Sequence, residues 1–96
     1  MNLNECRDIC YKTAIEKGFW DASENIAVKL MLVVTELAEA CEADRKGDGE
    51  NFDEEIADSF IRLFDLCGHC KIDIEYEIKR KMKINDERPK LHGKKY

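Results

Sequence analysis

The 96-residue chain predicts an all-α fold, a four-helix bundle completed by homo-oligomerisation. Three observations point there. Apolar residues recur at helical spacing in four stretches, and those stretches begin at Asn, Ser or Asp and stop at Gly or Pro. With 44% hydrophobic and 39% charged residues, one Pro and five Gly, the composition is that of a compact, surface-charged helical protein rather than a disordered chain. Finally, the run from Ile26 to Val34 contains a single polar residue, Lys29, so apolar side chains surround the helix instead of forming one stripe. A bundle of this size cannot easily cover every side of one member, so a second chain is expected to do so. The alternative is a monomer built around one central helix.

The elements follow in order. The first helix is expected from about Asn4 to Lys17, ended by Gly18, with Cys6, Ile9, Cys10 and Ala14 on or near its apolar side. The second starts near Ser23 to Asn25 and runs to Lys46, before Gly47. For the third, Asn51 is placed to cap a helix that continues to about Leu66, with Glu54 three residues on. The fourth opens at Asp73 and reaches about Asp86, short of Pro89, with Glu75/Lys79 and Glu77/Lys81 in the favourable i, i+4 order. No repeat or linker divides the chain, so residues 1–96 read as one domain, with 88–96 as a basic tail.

Composition also restricts function. No apolar run approaches the roughly 20 residues of a membrane span, and the N-terminal residues lack the pattern of a secretory signal. A cytoplasmic protein without a membrane partner is expected. Five cysteines without disulfide-scaffold spacing fit reduced thiols. The net charge of −5 is unevenly spread: residues 79–96 carry eight Lys/Arg against Asp86 and Glu87, leaving an acidic body. Such a body argues against binding a nucleic acid polymer, whereas a basic segment beside a metal site suits a small polyphosphate.

Two acidic pairs carry the candidate chemistry. Glu36/Glu39 and Glu55/Asp58 are each spaced i, i+3 on helices joined by a short Gly-containing stretch. Residues three apart share a helix face, and helices so joined pack antiparallel. All four carboxylates can therefore converge, and a hard cation such as Mg²⁺ would offset their repulsion. Glu36 shares its face with Leu32, Val33, Ala40 and Ala43. Glu55 shares its side with Asp58, Ser59, Arg62 and Asp65, opposite Ile56, Phe60, Leu63 and Cys67; taken alone, this second set reads as a solvated face. On the fourth helix Lys81, Asn85 and Arg88 recur on one face and suit phosphate oxygens, while a solvated helix end is the plainer explanation. Phe19 and Trp20 can stack on a base or anchor the approach to helix two.

Other constellations fit less well. Asp44, Asp48, Gly49 and Glu55 match part of a calcium loop, but Lys46 occupies a ligand position. Neither His69 nor His92 lies three residues after a Glu, as a di-iron bundle requires. Cys67 and Cys70 with Cys6 and Cys10 offer thiols for zinc, although buried or loop thiols are the simpler explanation.

The segments Leu32-Val33-Val34-Thr35-Glu36-Leu37-Ala38-Glu39-Ala40, Glu54-Glu55-Ile56-Ala57-Asp58 and Lys81-Met82-Lys83-Ile84-Asn85-Asp86-Glu87-Arg88-Pro89, followed by His92-Gly93-Lys94-Lys95, together resemble the MazG-like members of the all-α nucleoside triphosphate pyrophosphatase superfamily. The resemblance implies hydrolysis of an NTP or dNTP, often non-canonical, to the monophosphate and pyrophosphate. By that similarity Glu36, Glu39, Glu55 and Asp58 would bind Mg²⁺, with Mn²⁺ as the substitute. Glu36 or Glu39 would accept a proton from water, and Lys81, Asn85 and Arg88 would contact substrate; apart from the resemblance, Trp20 is the candidate to stack on its base. A homodimer or homotetramer would complete the site. Many relatives carry Glu-Glu-x-x-Glu where this chain has Thr35, which removes one carboxylate. A non-catalytic helical scaffold, or a sensor that binds nucleotide without turnover, is the alternative.

Overall fold

A computed structural model describes residues 1–21, 25–90 and 94–95; Ser23 of the expected helix start and His92 and Gly93 of the tail motif lie outside them. The described residues form four helices and no strand: α1 (Leu3–Glu16), α2 (Ile26–Arg45), α3 (Gly49–His69) and α4 (Ile74–Glu87). None of these helices is long and apolar enough to cross a membrane.

Side-chain caps set each start. Asn2, Asn25, Asp48 and Asp73 accept from the amides of Glu5, Val28, Asn51 and Tyr76, satisfying donors that a first turn leaves without partners. The third start corrects the expectation: Asp48, not Asn51, is the cap, and α3 begins two residues earlier. At the end of α2, Gly47 takes a φ of +71°, and the amides of Gly47 and Asp48 close back on the carbonyls of Asp44 and Ala43. The two long helices thereby turn back on each other within a few residues.

Packing is layered rather than concentric. Helices α2 and α3 pack along their length, α1 lies against α3, and α4 meets α1. Gly68 sits inside α3 rather than ending it, because a Cβ there would fall 2.4 Å from Cβ of Tyr11; the missing side chain lets α1 and α3 approach. The start of α4 is tied to α1 by Asn4, whose side chain donates to Asp73 (2.9 Å) and accepts from the Ile74 amide (3.1 Å), and by Arg7, which donates to the Ile72 carbonyl (2.7 Å). Glu77 pairs with Arg80 at 2.9 Å, one residue short of the expected Lys81.

The two long helices turn partly polar faces inward. On α2 the buried side chains are Lys29, Val33, Glu36, Ala40 and Ala43, while Ile26, Leu30, Met31, Val34 and Leu37 remain between 46% and 59% exposed. One chain therefore does not surround α2. On α3 the polar side faces α2 in part, as convergence of the carboxylates requires: Ser59 and Asp65 are buried and Asp58 is exposed, while of the opposite apolar set Cys67 is buried and Phe60 and Leu63 are exposed. The few large core residues, Val33 and Leu66 among them, leave this single chain with apolar surface uncovered on both long helices.

Candidate metal centre

Carboxylates from α2 and α3 do meet. Oxygens of Glu36, Glu39 and Glu55 all lie within 4.8 Å of one another, the one such group of acidic, thiol and imidazole side chains among the described residues. Helical spacing places Glu36 and Glu39 on one side of α2, and the tight turn at Gly47 brings Glu55 of α3 opposite them. Asp58, the fourth expected carboxylate, is not in the trio. One turn beyond Glu55, it is exposed and lines a neighbouring cavity that it shares with Glu36.

The three carboxylates have different surroundings. Glu36, 9% exposed, accepts a 2.8 Å hydrogen bond from Nε of Arg62. Burial pushes its carboxyl up, but the Arg62 hydrogen bond and charge, with hydrogen bonding to Glu55 and Glu39, outweigh that and hold it below the usual carboxylate range. Among the described residues no cation pairs with Glu55. Hydrogen bonding to Glu39 and then Glu36, together with burial and their charges, pushes its carboxyl up to about 7. Its Oε2 is buried and has no hydrogen-bond donor among the described residues. An oxygen in that position needs a proton or a cation. The donor set, carboxylate oxygens only, is the one a hard divalent cation selects.

The trio separates two hollows. On the side of the α2–α3 turn, Glu39 and Glu55 open onto a recess of about 240 Å³ that also touches Lys46, Asp48 and Asn51. On the other side Glu36 opens onto a cavity of about 420 Å³ between α1 and α3. Ile9, Thr13, Phe19 and Ile61 form its less polar wall, and Asp58, Arg62 and Asp65 face them.

Beyond the cavity lies an aromatic cluster. Trp20 donates its indole N–H to Asp65, and His69 stacks on the indole at 3.8 Å with an interplanar angle of 5°. Tyr11 meets both rings edge-on, and buried Lys29 sets its ammonium 4.7 Å over the Trp20 ring while donating to the Phe19 carbonyl. Trp20 is thus engaged by the protein as a packing anchor, and Phe19 is the aromatic that reaches the cavity. Lys81 and Asn85 are exposed on the far half of α4, and Arg88 is exposed just past its end; α4 packs against α1, and none of the three lines the hollows beside the carboxylates. The cysteines are all unbridged, and none joins a metal-competent group among the described residues.

Arg62 and Asp65 are the two site features that the sequence did not single out. Both belong to the polar stripe of α3, but nothing in their spacing shows that one would pair with Glu36 and the other with Trp20. The chain matches no protein-family description, no curated protein and no solved structure.

Proposed function

We propose that this chain is an Mg²⁺-dependent nucleoside triphosphate pyrophosphohydrolase, which cleaves an NTP or dNTP at the α-phosphorus to the monophosphate and pyrophosphate. The observation that carries this reading is the meeting of Glu36, Glu39 and Glu55 within 4.8 Å, at a Glu55 whose buried Oε2 has no donor among the described residues. To this the sequence adds the ordered acidic and basic segments resembling the MazG-like pyrophosphatases.

In this reading Glu36, Glu39 and Glu55 hold the cation, with Asp58 as the fourth carboxylate toward the substrate side. Mn²⁺ would serve in place of Mg²⁺. When bound, the cation neutralises triphosphate charge and acidifies water for attack. Glu36 is already committed to Arg62, so Glu39 is the carboxylate that accepts the proton as the water oxygen bonds to the α-phosphorus. The bond from that phosphorus to the bridging oxygen breaks, and pyrophosphate leaves with the electron pair.

The exposed apolar faces of α2 and α3 support association into a homodimer or homotetramer. Assembly would also give Lys81, Asn85 and Arg88 a route to the phosphates, from α4 of a second copy. A panel of canonical, deoxy and modified triphosphates with Mg²⁺ tests the reading, with pyrophosphate as readout. Release from at least one substrate, abolished by Glu39→Ala, is the expected result. Metal-dependent binding without release would leave a sensor, and indifference to both metal and substitution a scaffold.

A further inference from the structure

We infer that the cavity between α1 and α3 receives the nucleobase, and that Asp65 selects bases carrying an exocyclic amino group: adenine, cytosine or guanine rather than uracil or thymine. This rests on the nucleotide reading of the carboxylate trio. Its own support is the cavity. At about 420 Å³ it is of a size that small ligands use, and Glu36 belongs both to its wall and to the trio. A nucleotide whose phosphates meet the cation therefore has its heterocycle beside Ile9, Phe19 and Ile61, which offer apolar surface to a flat ring.

The polar wall supplies the discrimination. Asp65 is 7% exposed, yet it lines the cavity and receives the Trp20 indole N–H. A buried carboxylate requires further donors. Arg62, Lys29 and His69 act on Asp65 through charge, but Arg62 donates to Glu36 and Lys29 to the Phe19 carbonyl, while His69 stacks on Trp20; Asp58 adds a second acceptor to the wall. An amino group presents N–H to such a wall. The imide N–H of uracil or thymine is flanked by carbonyls, whose oxygens would face the carboxylates.

The test compares dATP, dCTP and dGTP with dUTP and dTTP in Mg²⁺, by pyrophosphate release, and follows emission of Trp20, the chain's single tryptophan, with dCMP and dUMP. We expect kcat/KM to favour the amino-bearing bases by about 10-fold or more, because a buried polar group left without its partner is what discriminates strongly. Asp65→Asn keeps the size and an acceptor for Trp20 but adds an amide donor, so it should narrow or reverse the preference. Thr13→Phe, on the exposed rim, should raise KM for all five. Equal kcat/KM for all five, unmoved by both substitutions, overturns the base pocket and leaves the hydrolase standing. Absence of pyrophosphate with Trp20 emission still ranking dCMP above dUMP overturns the hydrolase and supports the pocket. Silence in both readouts overturns both.

Discussion

Glu36 and Glu55 face each other across the same helix pair and have opposite electrostatic fates. Glu36 sits against Arg62 and is held ionised, whereas Glu55, a side chain away, has a buried oxygen without a donor and a carboxyl raised to about 7. The difference lies in the partner, not in burial alone. One guanidinium from α3 reaches Glu36 of α2, while among the described residues no cation stands against Glu55. The Glu55 side is consequently the place where a cation gains most from binding, and the Glu36 side is already neutralised.

Substitutions can break that asymmetry. The largest effect belongs to Glu55→Gln and Glu39→Ala, which remove cation ligands while leaving the Arg62–Glu36 pair intact; loss of turnover on the order of 100-fold or more is expected in the triphosphate panel. Next is Arg62→Ala, which makes Glu36 resemble Glu55. Arg62 is about a third exposed, its side chain retaining 35% of its accessible area, so the cost falls below that of a fully buried pair. We expect a loss of about 2 kcal/mol in urea unfolding without metal.

The pH dependence sharpens the same contrast. In the folded chain Glu55 binds its proton more tightly than in the unfolded chain, so its contribution to stability is fully present below the ordinary carboxylate range. It is lost as pH rises through about 7. Glu36 behaves oppositely: its lowered carboxyl stabilises the fold above the ordinary range and loses that contribution in acid. Without metal, thermal unfolding of the wild type should therefore weaken between about pH 5 and pH 8, and Glu55→Gln should flatten this decline. Asp58→Asn should have the smallest effect. Because Asp58 lies outside the trio, Mg²⁺-dependent stabilisation should survive that substitution better than Glu55→Gln, as differential scanning would show.

The sequence made the four helices legible because their punctuation is local. Asn25 and Asp73 act as the expected starts, and Gly47 takes the left-handed turn that ends a helix. It was less informative where two local solutions compete. Asp48 and Asn51 can both cap, and only the backbone path chooses Asp48. Gly68 has no local signature distinguishing a helix end from a packing notch, since its role depends on Tyr11 in another helix.

The candidate site was legible in the same uneven way. Spacing of three placed Glu36 with Glu39, and the short turn placed Glu55 opposite, both consequences of helix geometry. What covers the apolar stripe of α3 was not readable, because such a stripe says that a face prefers cover without saying which body supplies it. Phe60 and Leu63 are left outward in one chain, while Ser59 and Asp65 turn in. Arg62–Glu36 and Trp20–His69 depend on tertiary register across many residues, which periodicity does not encode.

Calorimetric titration of Mg²⁺ into the metal-free protein near neutral pH, in two buffers of different ionisation enthalpy, tests the carboxylate centre most directly. Binding should release a fraction of a proton from the wild type, because the cation takes the place of the proton on Glu55, and both binding and release should disappear in Glu55→Gln. Binding of equal strength in the two proteins, or none in the wild type, would contradict it.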